Sequence, residues 1–470
     1  MVNQHFLSRR ELLTRTGCGF GALALTGLLA GETPADESLD RPARPFSVRP
    51  PHFPPRAKRV IFLYMPGGPS HVDLLDPKPR LIADNGKPLP FEKPKLLRTQ
   101  TGNLLASPWR FARHGESGIE VSELLPALAS RIDDVCVIRS MVADNINHTG
   151  AALQMCTGEQ AFSRPSIGSW LTYGLGTENE NLPGFVVVSP AAVFQGAQLW
   201  ASSFLPSAYQ GTLVRDLNSP IANLGDPSAA SLGHQRSKLD ALRRLNEIHQ
   251  RDREFNNQLD ARIASFELAF HMQREAPETF DLSSEHESTH QLYGTDHPAT
   301  ELFGRQCLLA RRLVERGVRF VQLFDAPANN AWDHHGGLRE RLPERCRAVD
   351  QPVAALLTDL KARGLLEDTL VLWGGEFGRT PTAEGDNGRE HHPFGFTMWM
   401  AGGGIRGGMT YGATDEFGWH SIENIVHVHD LHATILHLMG FDHERLTYRF
   451  GGRDYRLTDV HGHVVREILA

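Results

Sequence analysis

"RVIFLYMPGGPSHVD", Arg59–Asp73, decides how the rest of the chain is read. An unbroken apolar run stops at a Pro-Gly-Gly turn, and a polar stretch carrying His71 and Asp73 follows. A run without polar alternation belongs to a strand covered on both faces, the habit of parallel sheets. The pattern recurs in "DVCVIRSM" (Asp134–Met141), "GFVVVSP" (Gly184–Pro190), "GVRFVQLFD" (Gly317–Asp325), "TLVLWGG" (Thr369–Gly375) and "FTMWMAGGG" (Phe396–Gly404). Amphipathic helices are predicted over Leu302–Arg316 and Glu344–Arg363. Strands alternating with helices predict an α/β fold, its central sheet mostly parallel and covered by helices on both faces. Ser237–Arg274, charged and nearly free of breakers, predicts a helical insertion at about residues 234–280.

Composition narrows the function without naming it. The 470 residues are 40% hydrophobic and 22% charged, as in an ordinary globular protein. A net charge of −7 gives no electrostatic case for binding nucleic acid or anionic lipid. Five cysteines include no Cys-x-x-Cys pair, which argues against a zinc ribbon or a dithiol redox site. Residues 1–30 place Arg9-Arg10 ahead of a short, glycine-containing apolar stretch, the pattern of a twin-arginine export signal. That stretch is too short and too rich in small residues for a bilayer span, so the expected mature protein has none and is periplasmic or secreted. Residues 31–58, rich in proline, predict an extended tether, and 59–470 the folded domain.

In parallel sheets ligands bind beyond the carboxyl ends of the strands. The loops at those ends are "PGGPSHVD", "VADNINHTG", "DAPANNAWDHHGG" and "GGEFGRTPTAEGDNGREHHP", each rich in His, Asp, Glu or Asn. Asp333, His334, His335, Glu376 and His391 are candidate metal ligands from two neighbouring connections, with Asp73 at the rim. Mixed imidazole and carboxylate sets suit a divalent zinc ion first, or manganese or iron, rather than calcium. Such an ion polarises an ester oxygen and acidifies water. Arg379 suits an anionic ester, and Asn147, His71 and His392 are placed with it as substrate contacts. The middle of the last loop, "TAEGDNG", reads as solvated.

The motifs "GGPSHVDLLDPKP", "RPSIGSWLTYGLGTENENLPGF", "WDHHGG", "WGGEFGRTP" and "RLTDVHG" resemble the domain-of-unknown-function 1501 family over essentially the whole chain after the leader. That family is grouped with the alkaline phosphatase and sulfatase superfamily. The resemblance therefore implies an alkaline phosphatase-like fold and hydrolysis of sulfate or phosphate esters, carbohydrate sulfates first by analogy. "HTGAALQMCTG" (His148–Gly158) is similar to the superfamily's nucleophile segment, but its first residue is His148, and Thr149 stands one place late. Two roles for His148 stay open: a metal ligand beside water as the attacking group, or a nucleophile or acid/base acting directly or through Thr149. Pro66-Gly67 stands where the superfamily places an acidic ligand on the first strand. The alternative to a hydrolase of small-molecule or glycan esters is a cell-envelope binding protein with a degenerate site.

Overall fold

The structure is a computed structural model that describes residues 46–92, 102–220, 232–251 and 257–470. The leader and the tether up to residue 45 lie outside the described residues. The principal strands are β1 (Arg59–Tyr64), β2 (Val135–Val142), β3 (Phe185–Val188), β4 (Thr212–Val214), β5 (Phe320–Phe324), β6 (Thr369–Gly374), β7 (Phe396–Ala401), β8 (Met409–Tyr411) and β9 (Val426–His427). They form one sheet in the order β8-β2-β7-β6-β1-β5-β3-β4, with β9 also paired to β2. Neighbours are parallel except around β7, which runs antiparallel to both β2 and β6. The predicted α/β architecture is present, and each predicted strand run is a strand of this sheet.

The continuous apolar runs are explained by cover on both faces. Along β1, Ile61 and Leu63 enter one hydrophobic cluster, and Val60, Phe62 and Tyr64 the other. Seven helices matter here: α1 (His148–Thr157), α2 (Ile167–Leu175), α3 (Leu232–Arg251), α4 (Asn257–Phe280), α5 (Glu301–Glu315), α6 (Leu338–Ala362) and α7 (Val428–Leu438). Helices α5 and α6 fill the first cluster; α1, α2 and α7 fill the second. Each aliphatic side chain buried there contributes about 1.5–3 kcal/mol. In the predicted insertion, α3 and α4 are linked by an ion pair between Arg243 and Glu267. No helix among the described residues is long and apolar enough to cross a membrane.

Three local readings are corrected. Residues 46–58 are not an extended tether: Arg49 N–H donates to Leu175 O (2.9 Å), and Ala57 N–H to Leu438 O (2.9 Å). Backbone pairing to the ends of α2 and α7 fixes this proline-rich stretch, which composition alone reads as free. Helix α6 begins at Leu338 rather than near Glu344, with Pro343 inside it. Its first amide groups are satisfied from outside, Leu338 N–H by Asn387 O (3.0 Å) and Arg339 N–H by Asn387 Oδ1 (3.2 Å). Consequently "TAEGDNG" is not wholly solvated: Asn387 caps α6, and only Gly385 and Asp386 are exposed. Cys136, Cys156, Cys307 and Cys346 are buried free thiols.

Candidate metal centre

The carboxyl edge of the sheet gathers three segments. β2 leads through residues 143–147 to His148, the first residue of α1. β5 leads to Asp333, His334 and His335. β6 leads to Glu376 and then to a two-stranded hairpin that pairs Arg379 with His391 and Gly378 with His392. Because β7 is antiparallel, its amino end lies at this edge, and the hairpin returns His391 there before β7 begins.

One ligand atom from each of His148, Asp333, His335 and His391 lies within 4.8 Å of the others. His148 Nε2 is 3.1 Å from Asp333 Oδ2, His335 Nε2 is 3.0 Å from Asp333 Oδ1, and His391 Nε2 is 3.5 Å from that same oxygen. His335 Nε2 and His391 Nε2 are 2.9 Å apart. Each ring is fixed from its other side. Nδ1 of His148 is bonded to Glu376 Oε1 at 2.6 Å, Nδ1 of His391 to the Ile146 carbonyl at 2.6 Å, and Nδ1 of His335 to Glu384. Carboxylates and carbonyls only accept, so each Nδ1 carries a proton; a second proton on Nε2 lets a ring bond Asp333, and loss of that proton leaves Nε2 of the neutral ring with the lone pair.

The electrostatics follow from this crowding. Burial works against charge on His148, yet Asp333 and Glu376 together raise its pKa above the usual value. Burial likewise opposes ionised Asp333, but hydrogen bonds to His148, His335 and His391, with Arg379 nearby, hold its carboxyl well below the usual range. The bond to Asp333 is the main reason that His335 is lifted to about 9; burial opposes this and Glu384 adds to it. Burial lowers His391.

Several expected ligands stand elsewhere. Glu376 is buried with both oxygens engaged, Oε1 by His148 and the Gly67 amide (2.9 Å), and Oε2 by the Tyr64 hydroxyl (3.0 Å). It orients His148 and is not one of the converging atoms. Asp73 is fully buried in a bidentate ion pair with Arg389, at 2.7 and 3.0 Å, away from the group. His334 is buried with both ring nitrogens unbonded, and burial lowers its pKa to about 3. It follows Asp333 in the chain but does not join the group.

The expected substrate contacts are also mostly occupied. Arg379 has no exposed surface and donates to the Gly67, Gly68 and Arg389 carbonyls and to Asp333. It is a pin that holds Asp333 to the β1 loop. His71 and His392 stack on each other and bond to the Gly418 and Trp419 carbonyls inside the protein. Asn147 is half-buried at the start of α1, and Thr149 is exposed one residue beyond His148. Pro66-Gly67 has a local cause: Gly67 sits at φ +115°, where a Cβ would lie 2.4 Å from the Asp333 amide nitrogen. No side chain fits there, acidic or otherwise.

Residues missed at the sequence level are the ones that orient ligands or flank them. Glu384 lay in a stretch whose glycines and Asn pointed to a turn, and its bond to His335 leaves no local signal. The Ile146 carbonyl has none at all. Tyr64 read as one more apolar strand position, although its place as the last residue of β1 was a cue. Phe377 and Phe194 flank the His148 ring at centroid distances of 5.0 and 6.0 Å.

Fold and site together define an α/β protein with a mostly parallel sheet and a three-histidine, one-aspartate group at its carboxyl edge. The chain belongs to the family described as "Protein of unknown function (DUF1501)", whose model matches residues 57–469. Solved structures with similar folds include the lipoteichoic acid synthase LtaP from Listeria monocytogenes, at 10% identity over 84% of this chain and 76% of that one, TM-score 0.36. The PsFucS1 sulfatase from Pseudoalteromonas sp. is similar at 13% identity over 68% and 63%, TM-score 0.33. An alkaline phosphatase from the Antarctic bacterium TAB5 is similar at 10% identity over 83% and 99%, TM-score 0.31. At such values no residue role is carried over from them. No curated protein matches the chain.

Proposed function

We propose that this protein is a metal-dependent hydrolase of sulfate or phosphate esters, with His148, Asp333, His335 and His391 holding one divalent ion. The observation that carries the proposal is the convergence of three imidazole Nε2 atoms on one carboxylate while each Nδ1 is tied to an outer acceptor. That division of labour is the habit of metal-binding histidines. The donor set passes a test of fit. Zinc bonds of about 2.0–2.1 Å in a tetrahedron put ligand atoms about 3.3 Å apart; the His335–His391 pair and the three contacts of the rings with one or other Asp333 oxygen are 2.9 to 3.5 Å, and one atom from each of the four residues lies within 4.8 Å of the rest.

An ion held there supplies Lewis acidity toward the ester and acidity toward water. The chain's own residues do the rest. Glu376 and Glu384 keep Nδ1 of His148 and His335 protonated, so Nε2 is the donor. Arg379 fixes Asp333 from the buried side. Helix α1 starts at His148, so its unpaired amide groups lie beside the group, where an anionic ester is favoured. Ligation by His148 is favoured over direct attack, because its ring is held on both sides by carboxylates. The carbohydrate ester class rests on the motif resemblance, and export on Arg9-Arg10. Replacing both arginines by lysine should leave the protein in the cytoplasm; unchanged export would remove that expectation.

The test is zinc loading followed by assay on para-nitrophenyl sulfate and para-nitrophenyl phosphate. Turnover that disappears in His391→Ala supports the hydrolase. Stoichiometric metal without turnover of sulfate or phosphate esters points instead to the binding-protein alternative.

A further inference from the structure

Phe194 is a large aromatic left in solvent at the ligand group. It is 45% exposed, and its ring lies parallel to that of His148, with 8° between planes and 6.0 Å between centroids. Phe377, the other phenyl ring beside His148, is buried, so of these two rings only Phe194 is open to an incoming molecule. Single exposed apolar residues are ordinary on surfaces, but this one is held in place. Its neighbour Val193 is buried, and Gly196 N–H closes a turn on the Val193 carbonyl at 3.0 Å. Gln195 adopts φ +66°, a left-handed conformation that non-glycine residues rarely take. Strained backbone next to a site is a pointer to function. The guanidinium nearest the group, Arg379, is spent on the Gly67, Gly68 and Arg389 carbonyls and on Asp333.

We propose that Phe194 determines specificity by stacking on a flat ring attached to the ester, either the C–H face of a sugar or an aryl group. This rests on the hydrolase reading of the neighbouring group and names its substrate class. Charge on the ester is met at the ligand group, and Phe194 meets the group that leaves. A parallel ring pair adds about three- to tenfold in affinity.

The test compares Phe194→Ala and Phe194→Tyr with the parent enzyme, all zinc-loaded, on para-nitrophenyl sulfate, galactose sulfate and methyl sulfate. Preference for the ring-bearing esters over methyl sulfate should fall about three- to tenfold in Phe194→Ala, in KM rather than kcat, and return in Phe194→Tyr. Zinc content should not change, which separates stacking from support of His148. Loss for the aryl ester alone assigns the aryl source, and loss for the galactose ester alone the sugar source. Equal loss for all three esters, or none, overturns the inference. Saturation-transfer NMR with para-nitrophenyl sulfate reads contact without turnover. Phe194-dependent transfer in a protein that hydrolyses nothing would sink the hydrolase reading alone, whereas transfer that ignores Phe194 sinks this inference.

Discussion

Three histidines present Nε2 to one aspartate because something else holds each Nδ1, so the orienting residues should be felt at the metal. Glu376→Gln keeps the size of the side chain but removes the charge that fixes His148. Zinc affinity measured by chelator competition should fall about 10- to 100-fold. Asp333→Ala removes the shared carboxylate and should abolish stoichiometric binding. An unchanged affinity in Glu376→Gln would return Glu376 to a purely structural role. At this scale the sequence was readable where acids and histidines crowd the loops that converge at the edge of the sheet. Asp333, His335 and His391 stood in loops with too many acids and histidines to be filler. It was not readable where burial decides the partner. Glu376, Asp73 and Arg379 have the chemistry of site residues, and their engagement with Tyr64, Arg389 and the Gly67 carbonyl depends on contacts remote in sequence.

Between elements, the hairpin that carries His391 is clamped to the segment after β1 by Arg389 and Asp73, both fully buried. Breaking one side of a buried pair leaves the other charge uncompensated. Asp73→Asn should therefore lower stability by about 3–5 kcal/mol in urea unfolding, and a change under 1 kcal/mol would show that water reaches Arg389. Gly388 makes the tightest approach in the loop, since a Cβ there would lie 1.9 Å from the His335 carbonyl oxygen. Gly388→Ala must displace the backbone of a ligand and should weaken zinc binding more than it weakens folding. The same elements show what the sequence could carry. Apolar runs announced buried strands, but a strand covered on both faces looks alike in either direction, so the reversal of β7 was invisible. The first turn of α6, ahead of the predicted start at Glu344, was not legible because Asn387, which satisfies its amides, is far away in the chain.

For the whole molecule, the sheet brings buried charge together with the site. Asp325, one residue past β5, is buried beside Arg345 (3.5 Å) and the Trp332 indole N–H (2.8 Å), and burial lifts its pKa to about 6. In the unfolded chain it titrates near about 4. Below that value both states are protonated; between about 4 and 6 the unfolded chain releases the proton while the folded one keeps it. Asp325 thus makes stability fall as pH rises through that window, and it adds no further slope above it. Melting temperatures of the parent and Asp325→Asn should converge toward acid and separate toward neutrality. A constant difference from acid to neutral pH would mean that Asp325 ionises normally. On the proposed reading, the carboxyl edge of the sheet holds one metal ion. The most direct test is the metal content of the purified protein and of Asp333→Ala by inductively coupled plasma mass spectrometry, after expression in metal-replete medium. About one equivalent of a divalent transition metal per parent chain is expected, and almost none in the folded variant. A folded parent protein without metal, or a variant that retains the full equivalent, would contradict it.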